Sequence, residues 1–195
     1  MKLAFVANTH GNLDLLEAVA LMLVERMDVG RVVPVGSAVY DLDAVLRSRA
    51  QRYPAEVPWT SAGFADFVLA SVLHGVSQVP VAELRRNALL DACALSEAQA
   101  ERGLVIGDDV CVGVVLPAHP RPMGAVLVRA TPEHRGAQLE DGHVLISPGH
   151  LRGRDQGAEP ASCCLVTATG RTLSVRFVDP DGADLSDPLT IEVPR

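Results

Sequence analysis

The sequence predicts an α/β fold, an αββα sandwich, on three observations. A short apolar run, a helical pattern and a second apolar run form a strand–helix–strand unit within the first 36 residues. A long stretch with helical periodicity follows. From Asp109 onward the texture changes to short apolar strands separated by loops rich in Gly, Pro and Asp. The first turn, Asn8 to Asn12, lacks the glycine fingerprint of a dinucleotide-binding unit.

Leu3 to Ala7 is nearly continuous in apolar residues, as a central strand covered on both faces requires. Asn12 or Asp14 is positioned to cap the helix that follows. That helix is expected to run to about Met27, because Leu15, Leu16, Val19, Leu23 and Met27 recur at three- and four-residue steps. Gly30 stops it, and Val32 to Val35 is the next strand, parallel to the first. Asp41 is expected to open a second helix, ended by Tyr53-Pro54. Pro54 to Gly103 reads as helical, with Thr60 or Ser61 capping a helix through Phe64, Phe67, Val68 and Leu73, and with Pro80 at another helix start. Strands are expected at Val110 to Leu116, Ala125 to Arg129, Val144 to Ser147, Cys163 to Thr167 and Leu173 to Val178. Thr169-Gly170-Arg171 has the character of a hairpin turn. Residues 1–195 are expected to form one domain, with 179–195 as a loose polar tail.

Composition narrows the function. The chain carries a formal charge of −7, which argues against nucleic acid and anionic membrane as partners. No apolar run reaches the roughly 18 residues of a spanning helix. Met1-Lys2 runs directly into the first strand with no signal-peptide layout, so the expected location is cytoplasmic. Cys93, Cys111 and the adjacent Cys163-Cys164 show no Cys-x-x-Cys spacing and are expected to be reduced and mostly buried.

The loop after the first strand is Asn8-Thr9-His10-Gly11-Asn12, the second strand ends in Gly36-Ser37, and Ile146-Ser147-Pro148-Gly149-His150 follows a later strand. In this order the three motifs resemble the calcineurin-like metallophosphoesterases, specifically the small YfcE-type phosphodiesterases. There the corresponding motifs are Asp-x-His-Gly-Asn, Gly-Asp and Asn-Pro-Gly-Ser. The resemblance covers nearly the whole chain and implies a four-layered αββα sandwich with mixed sheets. It also implies a site for two divalent metals, manganese or a similar ion, clamping a phosphate.

Residue by residue, that site is degenerate. Asn8 replaces the first Asp, His10 matches the first His, and Ser37 replaces the Asp that bridges the two metals. The third motif falls on Gly63-Phe64-Ala65-Asp66, so Phe64 stands for a metal-binding Asn and Ala65 for the catalytic His, while Asp66 is kept. His119 is a loose match to a later ligand. Counting back from His150 places Thr131 and Glu133 where two further histidines belong.

No catalytic residue and no cofactor are therefore expected. His10 is the one residual metal candidate, and a hydrogen-bonded role in its loop is the preferred reading of it. Asp41, Asp43, Glu133 or His134 would reopen the question by moving into the site. The resulting expectation is an inactive member serving as a cytoplasmic protein-interaction, scaffold or regulatory module. Its partner would be another protein, with homo-oligomerisation left open. Trp59, Phe64 and Phe67 either fill the vacated pocket or face that partner. The alternatives are a phosphoesterase with an altered mono-metal site, and a metal-free sensor of a phosphorylated small molecule. The sensor would use Arg121, Arg129, Arg135, Arg152 and Arg154 near the later strand ends, with backbone amides at the Asn8 and Gly149 loops, although scattered surface charge is the preferred reading of these arginines.

Overall fold

The structure, a computed structural model, describes residues 2–42, 93, 95, 97–107, 110–116, 122–131, 134–151 and 159–194. Strand β1 (Leu3–Ala7) is buried at every position. The reason is visible on its two faces. Leu3, Phe5 and Ala7 join Val33 and Val35 in a core shared with the second sheet, while Ala4 and Val6 meet Leu16, Val19, Ala20 and Leu23 of helix α1 (Leu13–Glu25). Both sides of the strand are dry, so alternation is absent from its sequence.

Helix α1 is capped by Asn12, whose side chain accepts from Leu15 N at 3.1 Å. It ends at Glu25, two residues before the expected Met27. Asp28 takes a left-handed φ of 52°, and Val29 N donates to Leu23 O at 3.1 Å, so the turn is closed before Gly30. Strand β2 (Arg31–Val35) then pairs in parallel with β1, in the register Leu3↔Arg31 to Ala7↔Val35. The helix expected to open at Asp41 begins earlier. Residues 37–42 are already helical, because Gly36 at φ 63° turns the chain from strand into helix without a linker. The helices expected between Pro54 and residue 92 lie outside the described residues. Helix α2 (Glu97–Arg102) is described, and no helix among the described residues is long and apolar enough to cross a membrane.

The remaining strands are β3 (Leu104–Ile106), β4 (Val110–Val114), β5 (Val126–Val128), β6 (Arg135–Glu140), β7 (His143–Pro148), β8 (Cys163–Thr169), β9 (Thr172–Val178) and β10 (Leu189–Glu192). They build two mixed sheets of the expected α/β sandwich. One runs β10-β9-β8-β1-β2 and the other β3-β4-β5-β7-β6. In the first, only β1 and β2 are parallel; in the second, β4, β5 and β7 are parallel and both edges antiparallel. Their facing sides share one core, in which Phe5, Val112, Val128, Ile146 and Val175 are fully buried.

The tail is not loose. The Asp179 side chain accepts from Asp181 N and Ala183 N, Arg176 forks onto the Asp184 carboxylate, and β10 pairs with β9. Three of the four β10 residues are exposed, which is why the segment reads as polar. Its backbone hydrogen bonds to β9, together with buried Val193, hold it in place.

Candidate functional site

The loop after β1 reverses the chain in four residues. Asn8, His10 and Gly11 take φ of 52°, 50° and 81°, a left-handed conformation that Asn, His and Gly adopt at lower cost than most residues. The turn exposes His10 and buries Thr9 to 1%. It also points backbone N–H groups at the neighbouring strand end, where His10 N donates to Ser37 Oγ at 3.3 Å.

Three other segments close on this loop. Asn8 Nδ2 donates to Thr131 O at 3.3 Å, beyond the end of β5. Leu151 N donates to Ala7 O and Asn8 O at 3.2 and 3.3 Å, from the turn after β7. A Cβ placed on Gly36 would lie 2.4 Å from Ala130 Cβ and 2.7 Å from Asn8 Oδ1, so β2, β5 and the β1 loop touch at that point. The ends of β1, β2, β5 and β7 therefore meet at one edge of the sandwich. Open α/β sheets commonly place their binding crevice at strand ends of this kind.

Of the residues expected here, Asn8, His10, Asn12, Ser37 and Thr131 lie in these converging segments. Thr131 contributes its carbonyl, and its hydroxyl turns away to the Ser147 hydroxyl and His134 O. Trp59, Phe64, Ala65, Asp66, Phe67, His119 and Glu133 lie outside the described residues. His134 does not enter the site. Its side chain is 77% exposed and its Nδ1 lies 3.5 Å from Glu159 Oε1. Partial burial pulls the Glu159 carboxyl upward, but the Arg135 N–H at 3.2 Å and the neighbouring His134 and Arg135 outweigh it and hold it below the ordinary value.

Asp41, one of the residues that would reopen the metal question by moving into the site, does reach the loop, and there it acts as a brace that the sequence did not announce. Its Oδ2 accepts both the Thr9 hydroxyl and Gly11 N, the latter at 2.9 Å. Ser37 and Asp41 are four residues apart in one helical segment, so both side chains face the loop. The spacing was legible; the earlier helix start that gives it meaning was not. Asp41→Ala removes two charge-assisted bonds and leaves the buried Thr9 hydroxyl without its acceptor. The expected loss is about 1.5–3 kcal/mol of unfolding free energy, measured by urea denaturation, with Asp41→Asn losing less.

The donor set decides what the site can hold. Asn8 and Ser37 offer neutral oxygens, and His10 one imidazole. Asp41 brings a carboxylate, but its Oδ2 is committed to Thr9 and Gly11. Among the described residues no group of three or more His, Cys, Asp or Glu is gathered for a metal ion. Two divalent cations about 4 Å apart repel by roughly 17 kcal/mol at an effective dielectric of about 20. Neutral amide and hydroxyl groups do not offset that, so the described residues do not fit a two-metal centre.

The four cysteines, all described, are thiols. Burial, with the Asp179 charge adding to it, pushes Cys163 up to about 12; burial, with Cys163 adding to it, pushes Cys164 well up. Neither is a nucleophile near neutral pH.

No protein-family model matches the chain, and no curated protein sequence matches it. Its backbone is similar to a crystal structure of a conserved protein from Streptococcus pneumoniae TIGR4, described as a predicted phosphoesterase. The TM-score is 0.50 and the identity 12%, over 100% of this chain and 97% of that chain. A solved archaeal protein, described as a novel phosphodiesterase, aligns over 98% of this chain and 99% of its own at TM-score 0.40 and 13% identity. The fold is metallophosphoesterase-like.

Proposed function

We propose that this chain is a catalytically inactive metallophosphoesterase-like protein that works as a cytoplasmic protein-interaction or regulatory module, without a metal cofactor. One observation carries the reading. The side chain in the first ligand position, Asn8, uses its amide as a donor to Thr131 O, so the loops that would grip cations are joined to each other by a neutral hydrogen bond. With Ser37 at the next position receiving the His10 N–H, the edge keeps, among the described residues, a single carboxylate, Asp41, whose Oδ2 is taken by Thr9 and Gly11, too little negative charge to hold two cations. The interaction half of the reading is supported by Tyr40, 59% exposed beside Asp41 in the helical segment that braces the loop. Tyrosine is a residue type enriched at contact hot spots.

The test uses the full chain incubated with manganese and desalted, then assayed for bound metal and for turnover of aryl phosphate mono- and diesters. The expected result is substoichiometric metal and no turnover above buffer. Stoichiometric metal with turnover abolished by His10→Ala would overturn the proposal in favour of an altered mono-metal phosphoesterase.

A further inference from the structure

Next to the converging loops, and sharing Thr131 with them, the second sheet carries an open groove across β5, β6 and β7. The pairing explains which side it is on. Val126, Val128, Val144 and Ile146 are fully buried between the sheets, so the residues alternating with them face outward. On that outward face Gly136 stands opposite Ser147 and Gln138 opposite Leu145, with Arg129 following β5. A cavity of about 320 Å³ lies over these residues, within the size range of small-ligand sites.

Three features give the groove a chemical character. Its floor is low because strand β6 has glycine at 136, where an added Cβ would meet nothing within 4 Å. Its rim is held by the Thr131 and Ser147 hydroxyls, which bond each other and both reach His134 O, at 2.9 and 2.6 Å respectively. With two hydrogens for three contacts, these hydroxyls are committed to the rim. Two arginines line the groove; Arg135 lies 3.8 Å from the Glu159 carboxylate, which leaves Arg129, among the described residues, as the uncommitted cation. It is exposed and its backbone is fixed by a 3.0 Å bond from its N–H to Ile146 O, and its guanidinium makes no hydrogen bond or ion pair with the described residues. The carboxylates nearby are engaged: Glu159 by His134 and Arg135, Glu140 by Gln138 Nε2 at 3.0 Å.

We infer that this groove is a binding site for a small oxyanion, a phosphate or carboxylate on an apolar body. Arg129 grips the anion and the body lies over Gly136 and Leu145. A planar guanidinium presents paired donors that match either oxyanion. The half-buried Leu145 and the open glycine leave an apolar strip about one side chain wide beside it. The site needs neither metal nor turnover, so it stands or falls independently of the inactive-module reading.

Isothermal titration of the full chain with phenyl phosphate, benzoate and benzyl alcohol tests it. Saturable binding of at least one of the two anions is expected, with no saturable binding of the neutral alcohol. Arg129→Gln should weaken the anion on the order of tenfold, the loss of a charge-assisted contact. Gly136→Leu, in ordinary strand backbone, should abolish binding by filling the groove while the thermal unfolding midpoint stays near wild type. Preference for phenyl phosphate assigns a phosphorylated ligand, and preference for benzoate a carboxylate. Binding of neither anion at millimolar concentration, equal binding of the alcohol, or binding untouched by Arg129→Gln overturns the inference. Should Gly136→Leu fail to fold, Arg129→Lys decides. It keeps the charge, so it should bind more weakly than wild type but more tightly than Arg129→Gln, and equal affinity of the two variants overturns the role of the cation.

Discussion

Truncating Phe5 to alanine is expected to lower the unfolding free energy by about 3–5 kcal/mol, the range for removing a buried aromatic side chain from a packed core. Phe5 is fully buried on central strand β1, between Val33 on one side and Cys164 on the other, and it faces the core shared by both sheets. Phe177 is the other aromatic residue of that core among the described residues, and the remaining members are Val, Leu, Ile, Ala and Cys, too small to fill a phenyl-sized void. A typical domain has about 5–15 kcal/mol in total. The variant therefore belongs near the edge of foldability, and urea denaturation at low temperature measures it. A loss below about 1.5 kcal/mol, the usual ceiling for a conservative core swap, would mean that the sheets collapse onto the space.

Gly36→Ala is the second large effect, expected at about 2–4 kcal/mol from backbone strain and overpacking together. The position has φ 63°, which alanine adopts at a cost, and the new methyl would fall 2.4 Å from Ala130 Cβ and 2.7 Å from Asn8 Oδ1. Neither neighbour is the end of a long side chain that can swing aside. Gly142→Ala separates the two causes. Gly142 has φ 76° in the β6–β7 turn but nothing within 4 Å of an added Cβ, so it reports strain alone, about 1 kcal/mol. If the two variants are destabilised equally, β2, β5 and the β1 loop do not touch as described. Beyond stability, Gly36→Ala should loosen the Asn8–Thr131 bond, visible as faster amide exchange in residues 8–12.

Elements buried on both faces were the easiest to read. The apolar runs of β1 and β2, the strand–helix–strand unit and the hairpin of β8 and β9 all announced themselves, because two dry faces or one clear alternation leave a strong pattern. Strands β3, β6 and β10 were missed for the opposite reason. β3 has only three residues, and β6 and β10 are sheet edges with mostly exposed or half-buried side chains, so backbone pairing rather than apolar burial makes them strands. Asp41 was missed as the brace of the loop because its role depends on where the helix starts, and Gly36 sets that start through backbone conformation.

Taken by itself, the sequence determined the α/β class, the order of the motifs and the identity of the side chains offered at positions 8 and 37. Neutral Asn8 and Ser37 are facts of residue type that no fold can change. Tertiary structure alone decided what those side chains do: that Asn8 closes on Thr131, that Asp41 takes the Thr9 hydroxyl and the Gly11 N–H, and that His134 turns to Glu159. These contacts join residues far apart in the chain, and their distances depend on strand register and backbone φ. A hydrogen bond is decided by fractions of an ångström, whereas sequence pattern reports only which face of an element is dry.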